Sequence, residues 1–145
     1  MTRGRGFSML ELVVTIVIVG IVLAVALPRL TDNEAKATWF HEQVKATVRY
    51  AQRQAVAQRR CVFVEVPTTT TIQLRYGDTG CVITATVLTQ PGGTAAYTLT
   101  APSGVTIASS AGTFSFNGLG QPSAASNITV GSRTVTVNAE TGLVQ

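Results

Sequence analysis

One carboxylate stands where carboxylates rarely do. Glu11 closes the segment Phe7-Ser8-Met9-Leu10-Glu11 and is the single charge among the twenty-one residues from Phe7 to Leu27. A charged side chain in the middle of a membrane helix costs about 2.5–3.5 kcal/mol on insertion scales, and less near a helix end. A charge kept there needs a counter-charge, and cutting the chain after Gly6 would supply one. The new α-amine of Phe7 is positive near neutral pH and lies four residues, about one helical turn, before Glu11. Glu11 can meet its own amine or that of an adjacent chain, and in a low-dielectric interior an inter-chain pair also sets axial register. Gly6 suits such a cut because it lets a protease approach the backbone closely.

The other reactive residues are few. Cys61 and Cys81 enclose nineteen residues. In an oxidising compartment such a pair reads as a disulfide, and in the cytosol as two unrelated thiols. No Cys-x-x-Cys spacing points to redox chemistry, and no further Cys or His pair accompanies them, so neither a zinc site nor any other metal or cofactor is expected. The lone His41 has no Ser or carboxylate set around it, and neither a phosphate loop nor a paired-carboxylate motif is present; an enzyme is not expected. Lys45, Arg49 and Arg53 recur at helical spacing and, with Arg133, form a candidate DNA contact. The competing reading is a solvated helix face in which Glu42 compensates Lys45 at i,i+3.

These residues must be positioned by larger elements. The chain has 145 residues, 46% hydrophobic and 12% charged, against about 25% charged in average globular chains, so part of it belongs in lipid or in another apolar interior. From Phe7 to Leu27 a helix would cover roughly 30 Å, a bilayer core, and Arg3 and Arg5 would hold its start in the cytoplasm. Loss of those two arginines cuts the formal charge from +4 to +2, so overall basicity is weak support for nucleic acid. An ordinary signal peptide cut after Ala24-Val25-Ala26 is the alternative. The length of the Leu12–Leu27 run and the presence of Glu11 speak against it. Pro28 should kink or locally melt the helix, or simply end it, and Gly20 adds slack.

Beyond Pro28 a second helical pattern places Phe40, Val44, Val48, Ala51 and Ala55 on one face. The spacing predicts one helix from about residue 7 to 59, kinked near Pro28. From Cys61 onward the texture is β. Strands are expected at 61–66, 71–76, 81–88, 97–100, 105–108, 113–116, 128–130 and 134–138, broken by Pro67-Thr68-Thr69-Thr70, Gly77-Asp78-Thr79-Gly80, Gln90-Pro91-Gly92-Gly93 and Asn117-Gly118-Leu119-Gly120. The expected fold is α+β, a long N-terminal helix packed against a small antiparallel β-rich head. That head needs the helix face for its core. A Cys61–Cys81 bridge, tying the helix exit to the third strand, would add on the order of 3 kcal/mol.

Arg5-Gly6-Phe7-Ser8-Met9-Leu10-Glu11-Leu12, the Val/Ile run and Pro28 together resemble the class III signal of type IV pilins and type II secretion pseudopilins, with Ser8-Met9 in place of the commoner Thr-Leu. The resemblance implies a leader of residues 1–6 removed by prepilin peptidase after Gly6, an N-methylated Phe7, and Glu11 as the assembly carboxylate. It implies a transmembrane and assembly helix over 7–28 with a kink at Pro28, an amphipathic helix over 29–60 and a head over 61–145. Partners would be other major and minor pilins, the peptidase and the inner-membrane assembly platform. The protein would cross the inner membrane once, with its head in the periplasm, before entering a pilus or pseudopilus.

Phe114-Ser115-Phe116-Asn117-Gly118-Leu119-Gly120, Asn127-Ile128-Thr129-Val130, and the stretch from Arg133 through Thr141-Gly142-Leu143-Val144 resemble the closing half of GspH/FimT-like minor pilins and pseudopilins. Leu27-Pro28-Arg29, the two cysteines and the Glu140-Thr141-Gly142-Leu143-Val144 ending resemble minor pilins of the mannose-sensitive haemagglutinin (MSHA) pilus most. The implied function is that of a minor pilin in filament assembly or initiation; the alternatives are a GspH-like secretion pseudopilin and a FimT-like DNA-uptake pilin. Some FimT-like relatives bind DNA through arginines near the terminal Thr-Gly. Here Thr141-Gly142 is followed by no basic residue, and only Arg133 is near.

Overall fold

The structure is a computed structural model describing residues 8–30 and 33–145, with 25–30 described by their backbone alone. Helix α1 (Met9–Leu30) opens behind Ser8, whose carbonyl accepts from the Glu11 and Leu12 N–H groups at 3.0 and 3.1 Å. Its interior is Val, Ile, Leu and Ala, with the Thr15 hydroxyl satisfied by the Leu12 carbonyl at 2.8 Å. The backbone stays helical through position 28 to Leu30. Among the described residues no helix is long and apolar enough to cross a membrane; the side chains of α1 are described only as far as Ala24.

Helix α2 (Asn33–Gln58) buries Ala37, Phe40, Val44, Thr47, Val48, Ala51 and Ala55. That set repeats every three or four residues, the stripe a 3.6-residue helix needs to seat itself on a sheet. The helix ends in a Schellman motif: Arg60 N–H donates to the Ala55 carbonyl (3.2 Å) and Arg59 N–H to that of Val56 (3.3 Å). Arg59 takes the left-handed conformation, φ 49°, that this stop requires.

Eight antiparallel strands follow: β1 (Val62–Thr68), β2 (Thr71–Gly77), β3 (Ile83–Val87), β4 (Thr98–Thr100), β5 (Ile107–Ser109), β6 (Thr113–Phe116), β7 (Ser126–Val130) and β8 (Arg133–Val137). One sheet runs β3-β2-β1-β6, with β4 sharing the outer edge of β2; the second runs β5-β7-β8. On β2, Arg75 and Gly77 face β3, whereas Thr71, Ile72 and Gln73 pair with β4. The Ile107 N–H donates to the Thr69 carbonyl at 2.7 Å, linking the second sheet to the β1–β2 turn.

Both sheets pack on α2, through β1 and β6 on one side and β7 and β8 on the other. The core between them holds Phe40, Val44 and Val48 from the helix with Val62, Val64, Ile72, Leu74, Phe114 and Phe116 from the first sheet and Ile107, Ile128, Val130, Val135 and Val137 from the second. Phe114 and Phe116 meet edge to face, centroids 5.6 Å apart. The architecture is the expected α+β one, and the β-head does take its core from the helix.

Three local expectations are corrected. Strand β1 continues through Pro67 to Thr68, because its register shifts between Glu65 and Thr68 and a bulge has no use for the donor that proline lacks. Cys81 lies outside β3, in the preceding turn at φ 56°. Glu42 meets His41 Nδ1 at 3.3 Å rather than Lys45.

Candidate assembly and interaction sites

Glu11 sits in the first turn of α1, exposed, and makes no ion pair or side-chain hydrogen bond among the described residues. Around it Met9, Leu10, Leu12, Val13, Val14, Ile16, Val17, Ile18, Val19, Ile21, Val22 and Leu23 are all exposed, Leu10 at 76% and Ile21 at 62%. Nothing among the described residues covers that surface. Monomeric soluble proteins rarely leave more than a few hundred Å² of contiguous apolar surface open, and larger patches mark membrane or protein contacts. Gly20 opens the same way, with nothing within 4 Å of where a Cβ would stand. Gly6 and Phe7 lie outside the described residues, as does the side chain of Pro28, where the backbone remains helical.

The cysteines are bonded to each other, Cα–Cα 5.3 Å. Cys61 is buried and Cys81 exposed, so the bridge ties the residue between α2 and β1 to the β2–β3 turn. That turn is also held by Asp78, whose Oδ1 accepts from the Gly80 and Val82 N–H groups at 2.9 and 2.8 Å. Gly77 is close to obligatory there: a Cβ would stand 2.9 Å from both Cys61 Cβ and the Phe63 ring.

The candidate DNA residues are spread along α2, one turn apart from Lys45 to Arg53, with Arg133 on β8. Arg49 Nη2 donates to the Val144 carbonyl at 2.9 Å, fastening the chain's last strand-like segment to α2. Arg53 lies one turn on, and both line a shallow hollow of about 430 Å³ with Gln52, Thr141, Leu143 and Val144. Arg133 is elsewhere, at the start of β8 beside Thr134, whose carbonyl faces His41 Nε2 at 3.4 Å. His41 and Arg53 are twelve residues apart on α2, about 18 Å along its axis. The side chains of Lys45, Arg53 and Arg133 make no hydrogen bond or ion pair among the described residues. His41 is a packing residue, its side chain 12% exposed, and Trp39 is on the surface.

Several features escape sequence reading. Arg75 Nε sits 2.7 Å from Glu65 Oε2 across β1 and β2, an ion pair whose angle falls outside hydrogen-bond geometry. Tyr50 and Tyr97 stack at 5.2 Å. Arg59 and Arg60 line a cleft of about 700 Å³ with Asp78, Thr79, Cys81 and Asn117. An arginine pair at a helix end is a visible sequence signal, but nothing in the sequence shows that Asn117-Gly118 folds back onto it. Among the described residues no group of acidic, His or Cys side chains could hold a metal ion.

Two family models match the chain. Residues 1–27 match the prokaryotic N-terminal methylation motif, and residues 42–142 match the family described as type II transport protein GspH. No curated protein sequence matches significantly. Among solved structures, two crystal forms of the type IV minor pilin FimU from Pseudomonas aeruginosa strain PAO1 are similar in fold. One superposes with a TM-score of 0.54 at 14% identity, covering 77% of this chain and 90% of FimU. The other gives 0.55 at 13%, covering 82% and 90%.

Proposed function

We propose, on the premise that this chain belongs to the GspH family and opens on the N-terminal methylation motif, that it serves as a minor pilin of an MSHA-like type IV pilus, acting in filament assembly or initiation. It is a type IV minor pilin- or pseudopilin-like protein, built on a structural rather than an enzymatic fold. One observation carries the role in assembly. Twelve large apolar side chains of α1 stay uncovered by the described residues, with Glu11 as the charge among them. Before assembly the bilayer covers this surface, and the support for that is the sequence from Phe7 to Leu27. Afterwards the α1 helices of neighbouring subunits cover it.

Before assembly prepilin peptidase removes residues 1–6 and methylates Phe7, the platform in the inner membrane delivers the subunit, and Glu11 meets a Phe7 amine as copies stack. Pairing takes the charge out of hydrocarbon at the moment of incorporation, so an unpaired subunit is held back by the cost that a paired one escapes. Pro28 and Gly20 let α1 adjust to its neighbours. Mass spectrometry of the mature chain should find methylated Phe7 at its start. Glu11→Ala should be processed and inserted normally yet fail to enter filaments scored by immunogold labelling. A mature chain beginning at Leu27, or normal incorporation of Glu11→Ala, would refute the reading.

A second reading, DNA capture, has one observation in its favour: Arg49 and Arg53 bring positive charge beside Thr141 even though the tail carries none. A GspH-like place in a secretion pseudopilus uses the same α1 chemistry. Neighbouring genes distinguish it.

A further inference from the structure

Among the described residues only two other than glycine have positive φ, Arg59 at 49° and Cys81 at 56°, and both line the same cleft at the far end of α2. A side chain in the left-handed region costs about 1–2 kcal/mol, which glycine avoids. Arg59 holds the helix-stop position that glycine usually fills. The Asn117–Gly120 loop lies close over it: a Cβ on Gly118 would stand 3.0 and 3.1 Å from the Arg59 backbone. Backbone strain of this kind gathers at functional sites.

The cleft has the chemistry of an anion receptor. Arg60 is fixed, donating to the Gly77 carbonyl at 2.8 Å and lying 4.4 Å over the Tyr76 ring. Arg59 has no side-chain partner among the described residues. Asp78, the cleft's one acid, already has an oxygen engaged by two backbone N–H groups. On the rim stand two exposed apolar side chains, Leu119 at 82% and Val82 at 60%, each adjacent in sequence to a residue lining the cleft. Arginine at the centre with apolar side chains beside it is the composition of a protein contact.

We propose that this cleft docks a carboxylate-bearing loop of another pilin-type subunit, with Arg59 as the receiving guanidinium. The inference rests on the reading of the chain as a filament subunit. Asn33, where the anchor enters α2, is about 39 Å along the helix from the cleft, so the cleft occupies the pole of the head away from α1's attachment. A subunit stacked above meets that pole. A free small acid fits less well, because the cleft is open and offers no buried polar group to hold an untethered ligand.

Arg59→Gly separates docking from folding, since it removes the guanidinium and relieves the strain. Full-length chain carrying a photo-crosslinking phenylalanine derivative in place of Thr79 is expressed with its pilus genes and irradiated. The expected product is an adduct to an acidic loop of another pilin-like subunit. With Arg59→Gly its yield falls about tenfold, the weight of a charge-assisted hydrogen bond, and Arg59→Lys restores part of it. The melting temperature of the purified Arg59→Gly chain in detergent rises by about 4 °C. Unchanged adduct yield in Arg59→Gly, or an adduct mapping to a surface without acids, overturns the proposal. So does stabilisation of the purified chain by about 10 mM succinate that Arg59→Gly abolishes, which would make the cleft a small-acid site. Filament incorporation of the unsubstituted chain is scored in the same cells. Incorporation without any adduct removes this proposal alone, and no incorporation removes the filament reading with it.

Discussion

Gly142 lies in the Thr141-Gly142-Leu143 turn, at φ 68°. A Cβ there would overlap both the Gly120 carbonyl oxygen and Gln52 Nε2, the two atoms that form a 2.9 Å hydrogen bond between α2 and the β6–β7 loop. Gly142→Ala should therefore act twice. The left-handed backbone costs an alanine about 1–2 kcal/mol, and breaking or displacing the Gln52 bond adds about 0.5–1.5 kcal/mol. The sum, about 1.5–3.5 kcal/mol, is a large share of a domain stability of about 5–15 kcal/mol. Near 4 °C per kcal/mol it lowers the melting temperature by about 6–14 °C. Gly92 is the control, since its φ is 75° and nothing lies within 4 Å of its Cβ position; Gly92→Ala should show the backbone cost alone. Circular dichroism melts of the two full-length variants in the same detergent test this directly. Equal destabilisation of the two would refute the idea that the closing turn is locked by its approach to α2.

The disulfide and the basic hollow can be tested in the same preparations. Cys61→Ser should cost on the order of 3 kcal/mol under oxidising conditions, seen as a lower denaturant midpoint, and should match the unsubstituted chain once both are reduced. Arg49 and Arg53 alone neutralise about two phosphates, so any retardation of duplex DNA should be weak, with a log–log salt slope near −1.8 that Arg53→Ala halves. A slope steeper than about −5 would require many more phosphate contacts than this pair can make and would refute the estimate.

Much of this was legible in the sequence, for physical reasons that differ by region. The buried stripe of α2 was readable because Phe40, Val44, Val48, Ala51 and Ala55 repeat at the helical period, and a single face needs no knowledge of its partner. The strands were readable from Thr/Val alternation bounded by Gly, Pro and Asn, so each expected segment coincides with a real strand to within a few residues. Elsewhere something non-local decides. The surroundings of Cys81 are β-like, but the bridge to Cys61 and the Asp78 turn hold it in a left-handed bend. Pro67 looks like a break, yet a register shift lets the strand carry it. Spacing alone pairs Lys45 with Glu42, whereas Glu42 meets His41. The cleft at Arg59 was invisible because the loop that shapes it arrives from nearly sixty residues away.

The single helix shared by two sheets has a mechanical consequence. If the chain is a filament subunit as proposed, tension would reach the head at Asn33 and run along the axis of α2, parallel to the face that packs on β1, β6, β7 and β8. A pull in that direction loads the whole contact in shear, so its side chains must give way together instead of peeling off one turn at a time. Arg49, clasping the carbonyl of Val144, stitches the last stretch of chain to the loaded helix. A head fastened in this way would resist being drawn out by its root more stubbornly than its modest size suggests.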